Sequence, residues 1–273
     1  MKEFGTRAIS GLLYVALLIG SLFLSEAFLI LLFLFGLVCM AEFSKLIKLK
    51  GISQYFIFAI MYIGYWLWTF KLDINQGINE AVQILLVVTI FVNLILIKDL
   101  FAEKRIPLFE SKRYIVTTFY LSSGFVFILL IANYGDVFTP LLILGTFLLV
   151  WINDSFAYIT GKNFGKQKLF PSISPKKTVE GFLGGLFFAC VGSYFIATYT
   201  ETLNSTSWLF LAIIVSVFGT LGDLIESKFK RQAEVKDSGV IMPGHGGLMD
   251  RLDSIIFASP FIYLFLIIAT YVS

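Results

Sequence analysis

Long apolar runs separated by short polar stretches make up most of this chain. About twenty consecutive apolar residues span a bilayer as a helix, and counting such runs predicts about nine spans. They cover residues 8–24, 27–42, 55–70, 80–97, 114–132, 140–160, 179–199, 208–226 and 254–272. The first follows Lys2 and Arg7 in the manner of a signal peptide. Ser25-Glu26-Ala27 is a poor cleavage site, however, and a second apolar run follows at once, so the first run reads as an uncleaved span. The expected fold is an all-α integral membrane protein. Residues 1–140 would form N-terminal transmembrane helices and residues 141–273 the region that carries the chemistry, together one membrane-embedded unit.

Composition supports the pattern: 58% of the 273 residues are hydrophobic and only 14% are charged, which excludes an ordinary soluble domain. A net charge of +3 is too small to indicate nucleic acid as a partner. The placement of the charge is more informative, because cytoplasmic loops of membrane proteins carry the positive excess. Of the 21 lysines and arginines, all but Lys71 lie at the N-terminus or in connections that leave an even-numbered span. That alternation predicts an N-terminus in the cytoplasm, a C-terminus outside the cell and a cytoplasmic-membrane location. Cys39 and Cys190 each sit within an apolar run without neighbouring Cys or His, as inert thiols rather than zinc ligands. Residues 98–113 mix charge with Leu100, Phe101, Ile106, Leu108 and Phe109, which suits either a segment lying in the cytoplasmic interface or a simple anchored loop.

Polar groups concentrate in a few places. At the end of the sixth run, Asp154, Ala157, Tyr158 and Gly161 share one helical face, and an acid there points inward among the helices. Ser174-Pro175 reads as a helix start, which places Lys176 and Lys177 where the helix dipole disfavours cations. An anion bound at that N-terminus would explain them; enforcement of topology or contact with anionic lipid is the alternative. Gly181, Gly185, Ala189, Ser193 and Ala197 form a four-residue stripe that permits close helix packing, within the chain or at a homodimer seam. Asp223 and Glu226 lie three apart at the end of the eighth run, and Asp250 and Asp253 repeat the spacing at the start of the ninth. A carboxylate near the bilayer is unfavourable, and a bound cation would offset that; helix capping accounts for Asp250 and Asp253 but not for Asp223.

The densest polar stretch, residues 227–253, holds five basic residues, four acids, four glycines and the sole histidine, His245. Carboxylates that hold a hard cation, lysines that neutralise phosphate and glycines that let backbone N–H groups approach it suit an anionic, metal-bound ligand such as a nucleotide triphosphate. A solvated loop with helix caps is the simpler reading.

The order of these residues resembles the signature of the phosphatidate cytidylyltransferases (CDP-diacylglycerol synthases). Ser227, Lys230, Arg231, Lys236, Asp237, Ser238, Gly239, Pro243, Gly244, His245, Gly246, Gly247, Asp250, Arg251, Asp253 and Ser254 all fall on that pattern. The D-x-x-A-Y-x-x-G run from Asp154 and the S-P-K-K-T-x-E-G run from Ser174 are similar to the family's upstream motifs, so the resemblance covers roughly residues 150–273. It implies transfer of CMP from CTP to phosphatidate, with release of pyrophosphate and dependence on one or two magnesium ions. By that resemblance Asp223, Asp250 and Asp253 would hold the metal, with Glu226 behind them. Asp154, Lys176, Lys177, Thr178, Lys228, Lys230, Arg231, Lys236 and Arg251 would meet CTP and the lipid phosphate. Gly244, Gly246 and Gly247 would shape the turn, and His245 would orient a phosphate, protonate pyrophosphate or be structural. Two other readings share some features. A CTP-dependent polyprenol or phytol kinase has the same nucleotide and a lipid acceptor, and a transporter also places acids within spans.

Overall fold

The computed structural model describes residues 2–70, 78–102, 104–135 and 137–272. Lys71, the single basic residue on the far side in the charge count, lies outside them. The chain is built of α1 (Lys2–Ser21), α2 (Ser25–Leu46), α3 (Ser53–Phe70), α4 (Ile78–Phe101), α5 (Glu110–Val116), a π-helical turn (Thr117–Ser122), α6 (Ser123–Ala132), α7 (Pro140–Phe164), β1 (Lys168–Phe170), β2 (Ser174–Thr178), α8 (Val179–Thr200), α9 (Ser205–Gln232) and α10 (Met249–Val272).

Among the described residues seven helical stretches are long and apolar enough to cross a membrane, so this is a multi-pass membrane protein. They are Ser25–Leu46, Glu80–Phe101, Glu110–Ala132, Pro140–Phe164, Val179–Thr200, Ser205–Gln232 and Met249–Thr270. The first predicted run coincides with α1, of which Ile9–Ser21 is described as a shorter apolar helix, and the third coincides with α3.

Two compact units divide the chain, and chain order alone does not reveal them. The first comprises residues 1–129 and 229–252, the second residues 130–228 and 253–273. In the first unit α2 and α3 meet closely at Gly36, where a Cβ would collide with the Phe58 ring. Phe58 stacks on Phe33 with centroids 5.5 Å apart and meets Phe125 edge-on, while Phe43 packs edge-on against Tyr120 and Phe229. Such aromatic contacts add directional packing to apolar burial.

In the second unit the small-residue stripe of α8 faces α7. A Cβ at Gly185 would stand 2.7 Å from the Asn153 carbonyl oxygen, and one at Gly181 would stand 2.8 Å from that of Ala157. The stripe therefore lets two backbones approach within the chain, the first of its two predicted uses.

One predicted boundary is corrected. Residues Ser174–Thr178 are not the first turn of a helix but an extended strand paired antiparallel with β1. The helix starts at Val179, because the Thr178 side chain accepts the Gly181 N–H at 3.1 Å and caps it there. The Glu180 carboxylate then accepts the N–H groups of Lys166 (3.0 Å) and Gln167 (3.1 Å), tying the β1 side of the hairpin to the helix start. Pro175, which lacks an N–H, is tolerated at the edge of this two-stranded ladder. Lys176 and Lys177 thus precede the cap, and the dipole argument does not apply to them. The polar run at 227–231 likewise belongs to a helix, since α9 continues to Gln232.

Candidate active site

In the second unit α9 and α10 come together through glycines. A Cβ at Gly222 would lie 2.5 Å from the Phe257 Cβ and 2.8 Å from the Asp253 carbonyl oxygen, and one at Gly219 would touch Ser254. This approach gathers Asp223, Glu226 and Asp253, each offering a carboxylate oxygen within 4.8 Å of the others. Glu226 and Asp253 are buried, and Asp223 is partly open. The Ser227 hydroxyl donates to Asp223 Oδ1 (3.2 Å), and the Ser254 N–H donates to Asp253 Oδ1 (2.7 Å). Three carboxylates without a histidine or cysteine are the donor set of a hard, oxygen-seeking cation such as magnesium, so the residues fit the group.

Lys177 forms an ion pair with Asp223. It is delivered by β2, where side chains alternate, so it turns toward the carboxylates while Lys176 is exposed. Burial alone pushes the Lys177 ammonium down, but Asp223 beside it, with Asp154 and Asp253 in support, more than reverses this and holds its pKa above the usual lysine value. The positive charge of Lys177 is therefore secure at neutral pH. Thr178 is buried under Gly161 and Gly181, whose hypothetical Cβ atoms would each meet its Oγ1 at 2.9 Å. Asp154, on α7, accepts from the Asn153 amide at 3.2 Å. Lys228 is buried in the same unit.

The first unit holds a second polar centre. Asp250 Oδ1 pairs with Lys230 Nζ at 2.6 Å, with both side chains less than a tenth exposed (9% and 7%). Its Oδ2 accepts from the Gly247 N–H (2.7 Å), the Ser238 N–H (3.0 Å) and the Ser238 hydroxyl (3.0 Å). Asp250, expected as a metal ligand with Asp223 and Asp253, closes the glycine turn within the first unit. Gly244 and Gly246 carry the turn at φ +77° and +88°, values that favour glycine, and Met242 pairs with Gly246 across it. The Arg251 guanidinium donates to the His245 carbonyl oxygen at 2.9 Å. Ser10 of α1 donates to the Pro243 carbonyl oxygen (3.0 Å), and its hydroxyl oxygen lies within hydrogen-bond distance of His245 Nδ1 (2.8 Å). Arg231 donates to the Val235 carbonyl oxygen at 2.7 Å, and Lys236 is exposed.

Sequence reasoning missed Glu42. It lies in α2, is 3% exposed, and accepts the N–H groups of Leu248 (3.1 Å) and Met249 (2.9 Å) at the start of α10. The available signal was a carboxylate at the very end of an apolar run, where an ionisable group is unfavourable without partners.

A model of the cytidylyltransferase family matches residues 5–269. The chain is 36% identical over 242 residues to a Bacillus subtilis protein named phosphatidate cytidylyltransferase, which covers 88% of each chain. Proteins of the same name from Staphylococcus aureus and Staphylococcus saprophyticus are also similar. The first is 41% identical over 61% of this chain and 63% of its own length, the second 51% identical over 46% and 48%.

Proposed function

The chain belongs to the cytidylyltransferase family, and from that premise we infer that it transfers the CMP group of CTP to phosphatidate. The products are CDP-diacylglycerol and pyrophosphate, for phospholipid synthesis. The observation that carries this reading is the family match over nearly the whole chain, joined to a carboxylate cluster with a lysine set against it.

In the reaction a phosphate oxygen of phosphatidate bonds to the α-phosphorus of CTP while the bond to the bridging oxygen breaks and pyrophosphate departs. That phosphate is already ionised at neutral pH, so no strong base is needed, and catalysis consists of orienting two polyanions and neutralising charge. Asp223 and Asp253, with Glu226 behind, would hold magnesium, which supplies Lewis-acid neutralisation of phosphate charge. Lys177, paired with Asp223, would exchange that partner for a phosphate oxygen. The His245 and Gly247 N–H groups of the turn are held by Met242 and Asp250, which leaves those of Gly244 and Gly246 as the ones that would meet phosphate, and Lys176, Lys228, Arg231, Lys236 and Arg251 would supply further positive charge for CTP and the lipid phosphate. Asp250 and Lys230 hold the turn in shape. About nine spans, with these groups at the cytoplasmic face of the cell membrane, fit the one-sided placement of lysine and arginine.

Purified protein incubated with phosphatidate, cytidine-labelled CTP and magnesium should move label into the lipid phase. Label that stays in water while an added polyprenol is phosphorylated would identify a lipid kinase instead, and uptake into liposomes without nucleotide would identify a transporter. For orientation, a variant without Cys39 and Cys190 and carrying Val137→Cys should react with an impermeant thiol reagent on intact cells, whereas one carrying Ser238→Cys should not. Labelling of position 238 from outside would overturn the assignment.

A further inference from the structure

Glu42 lies far in sequence from every motif of the family, yet its carboxylate is the centre of the glycine turn. Each oxygen takes a backbone N–H at the start of α10, Oε1 from Leu248 and Oε2 from Met249. A carboxylate at a helix N-terminus satisfies N–H groups that have no partner within the helix. The Ser238 hydroxyl stands between two acids, 3.3 Å from Glu42 Oε2 and 3.0 Å from Asp250 Oδ2. Glu42 also explains one glycine of the signature and contributes to the crowding at a second. A Cβ at Gly239 would collide with the Glu42 side chain, whose Oε1, Cδ and Cγ are the three nearest atoms, and one at Gly247 would meet Ser238 Oγ first, and then Glu42 Oε2 at 2.7 Å. Neither glycine has a positive φ, so occupied space, not backbone conformation, is what a side chain there would violate: Glu42 at Gly239, and Ser238 together with Glu42 at Gly247.

We propose that Glu42 is a positioning residue for cytidylyl transfer: it seats the start of α10 and the loop at 238–239 against one carboxylate, and so sets the turn that receives the triphosphate. It touches no substrate. The proposal rests on the reading of the reaction given above, but its structural half is testable without it.

Glutamine at this position keeps the shape but replaces one acceptor by an NH2 group that faces an N–H donor. In the full-length protein in detergent or bilayer, Glu42→Gln should lower kcat/KM for CTP at least tenfold while the KM for phosphatidate changes less than twofold. Glu42→Asp, which retains two acceptors, should recover part of the loss. The decisive measurement is coupling. Gly239→Ala should lower both activity and Tm in the wild-type background, whereas in a Glu42→Ala background, where the obstructing carboxylate is gone, it should add less than a twofold loss and no fall in Tm. Equal effects of Gly239→Ala in both backgrounds, or CTP kinetics unchanged in Glu42→Gln, would overturn the proposal. If the wild-type chain made no CDP-diacylglycerol, the reading of the reaction would fail, and the coupling in Tm would still decide the role of Glu42.

Discussion

The two polar centres use the same residue types to opposite ends. Around the glycine turn, the oxygens of Asp250 and Glu42 are matched by backbone N–H groups, a serine and Lys230. In the other centre three carboxylates crowd within 4.8 Å, and Lys177 pairs with one of them. Carboxylates held that close repel one another unless a cation or a proton joins them. One centre matches its carboxylate oxygens with N–H, hydroxyl and ammonium donors; the other gathers three carboxylates into one small space. Removing a carboxylate should therefore have different consequences in the two places.

The largest effects should come from the crowded centre. Asp223→Asn or Asp253→Asn should reduce turnover by a factor on the order of a hundred or more, as expected for a lost metal ligand. Magnesium at half-saturation should rise if activity survives, and in Asp253→Asn, which leaves the Lys177 ion pair intact, Tm should hold or increase because repulsion is relieved. Asp250→Asn should behave otherwise. Breaking a buried ion pair from one side is destabilising by about 3–5 kcal/mol, so Tm should fall together with activity. Equal Tm losses at positions 253 and 250 would erase the distinction.

Lysine substitutions sharpen the comparison at a smaller scale. Lys177→Gln should lower kcat/KM by about tenfold or more, as for a charged group that stabilises a reacting phosphate. Exposed Lys176→Gln should lower it less, because charge in open water is screened. Identical losses would mean that the strand does not sort the two side chains. Gly222→Ala should have the least specific effect. A methyl group forced between α9 and α10 is destabilising by about 1–3 kcal/mol, with a several-fold loss of activity as Asp253 shifts. A normal Tm and rate would show that the helices can yield there.

Much of the fold was legible in the chain because hydropathy is a local property. Apolar runs must satisfy their own backbone hydrogen bonds in lipid and so become helices whatever they pack against, and seven described helices follow the predicted runs. Asp223, Glu226 and Asp253 were legible as acids where a bilayer makes them unfavourable. Ser174-Pro175 was misread because its helix-start signal is equally local, whereas the outcome depended on pairing with Lys168–Phe170 and on the Thr178 cap. Only tertiary structure decided that, of two acids three residues apart, Asp253 joins the carboxylates and Asp250 joins Lys230, and that Glu42 closes a turn more than 200 residues away (|i−j| = 206). The strength of a hydrogen bond or ion pair depends on distance through space, and hydropathy and spacing along the chain carry no information about which distant groups meet.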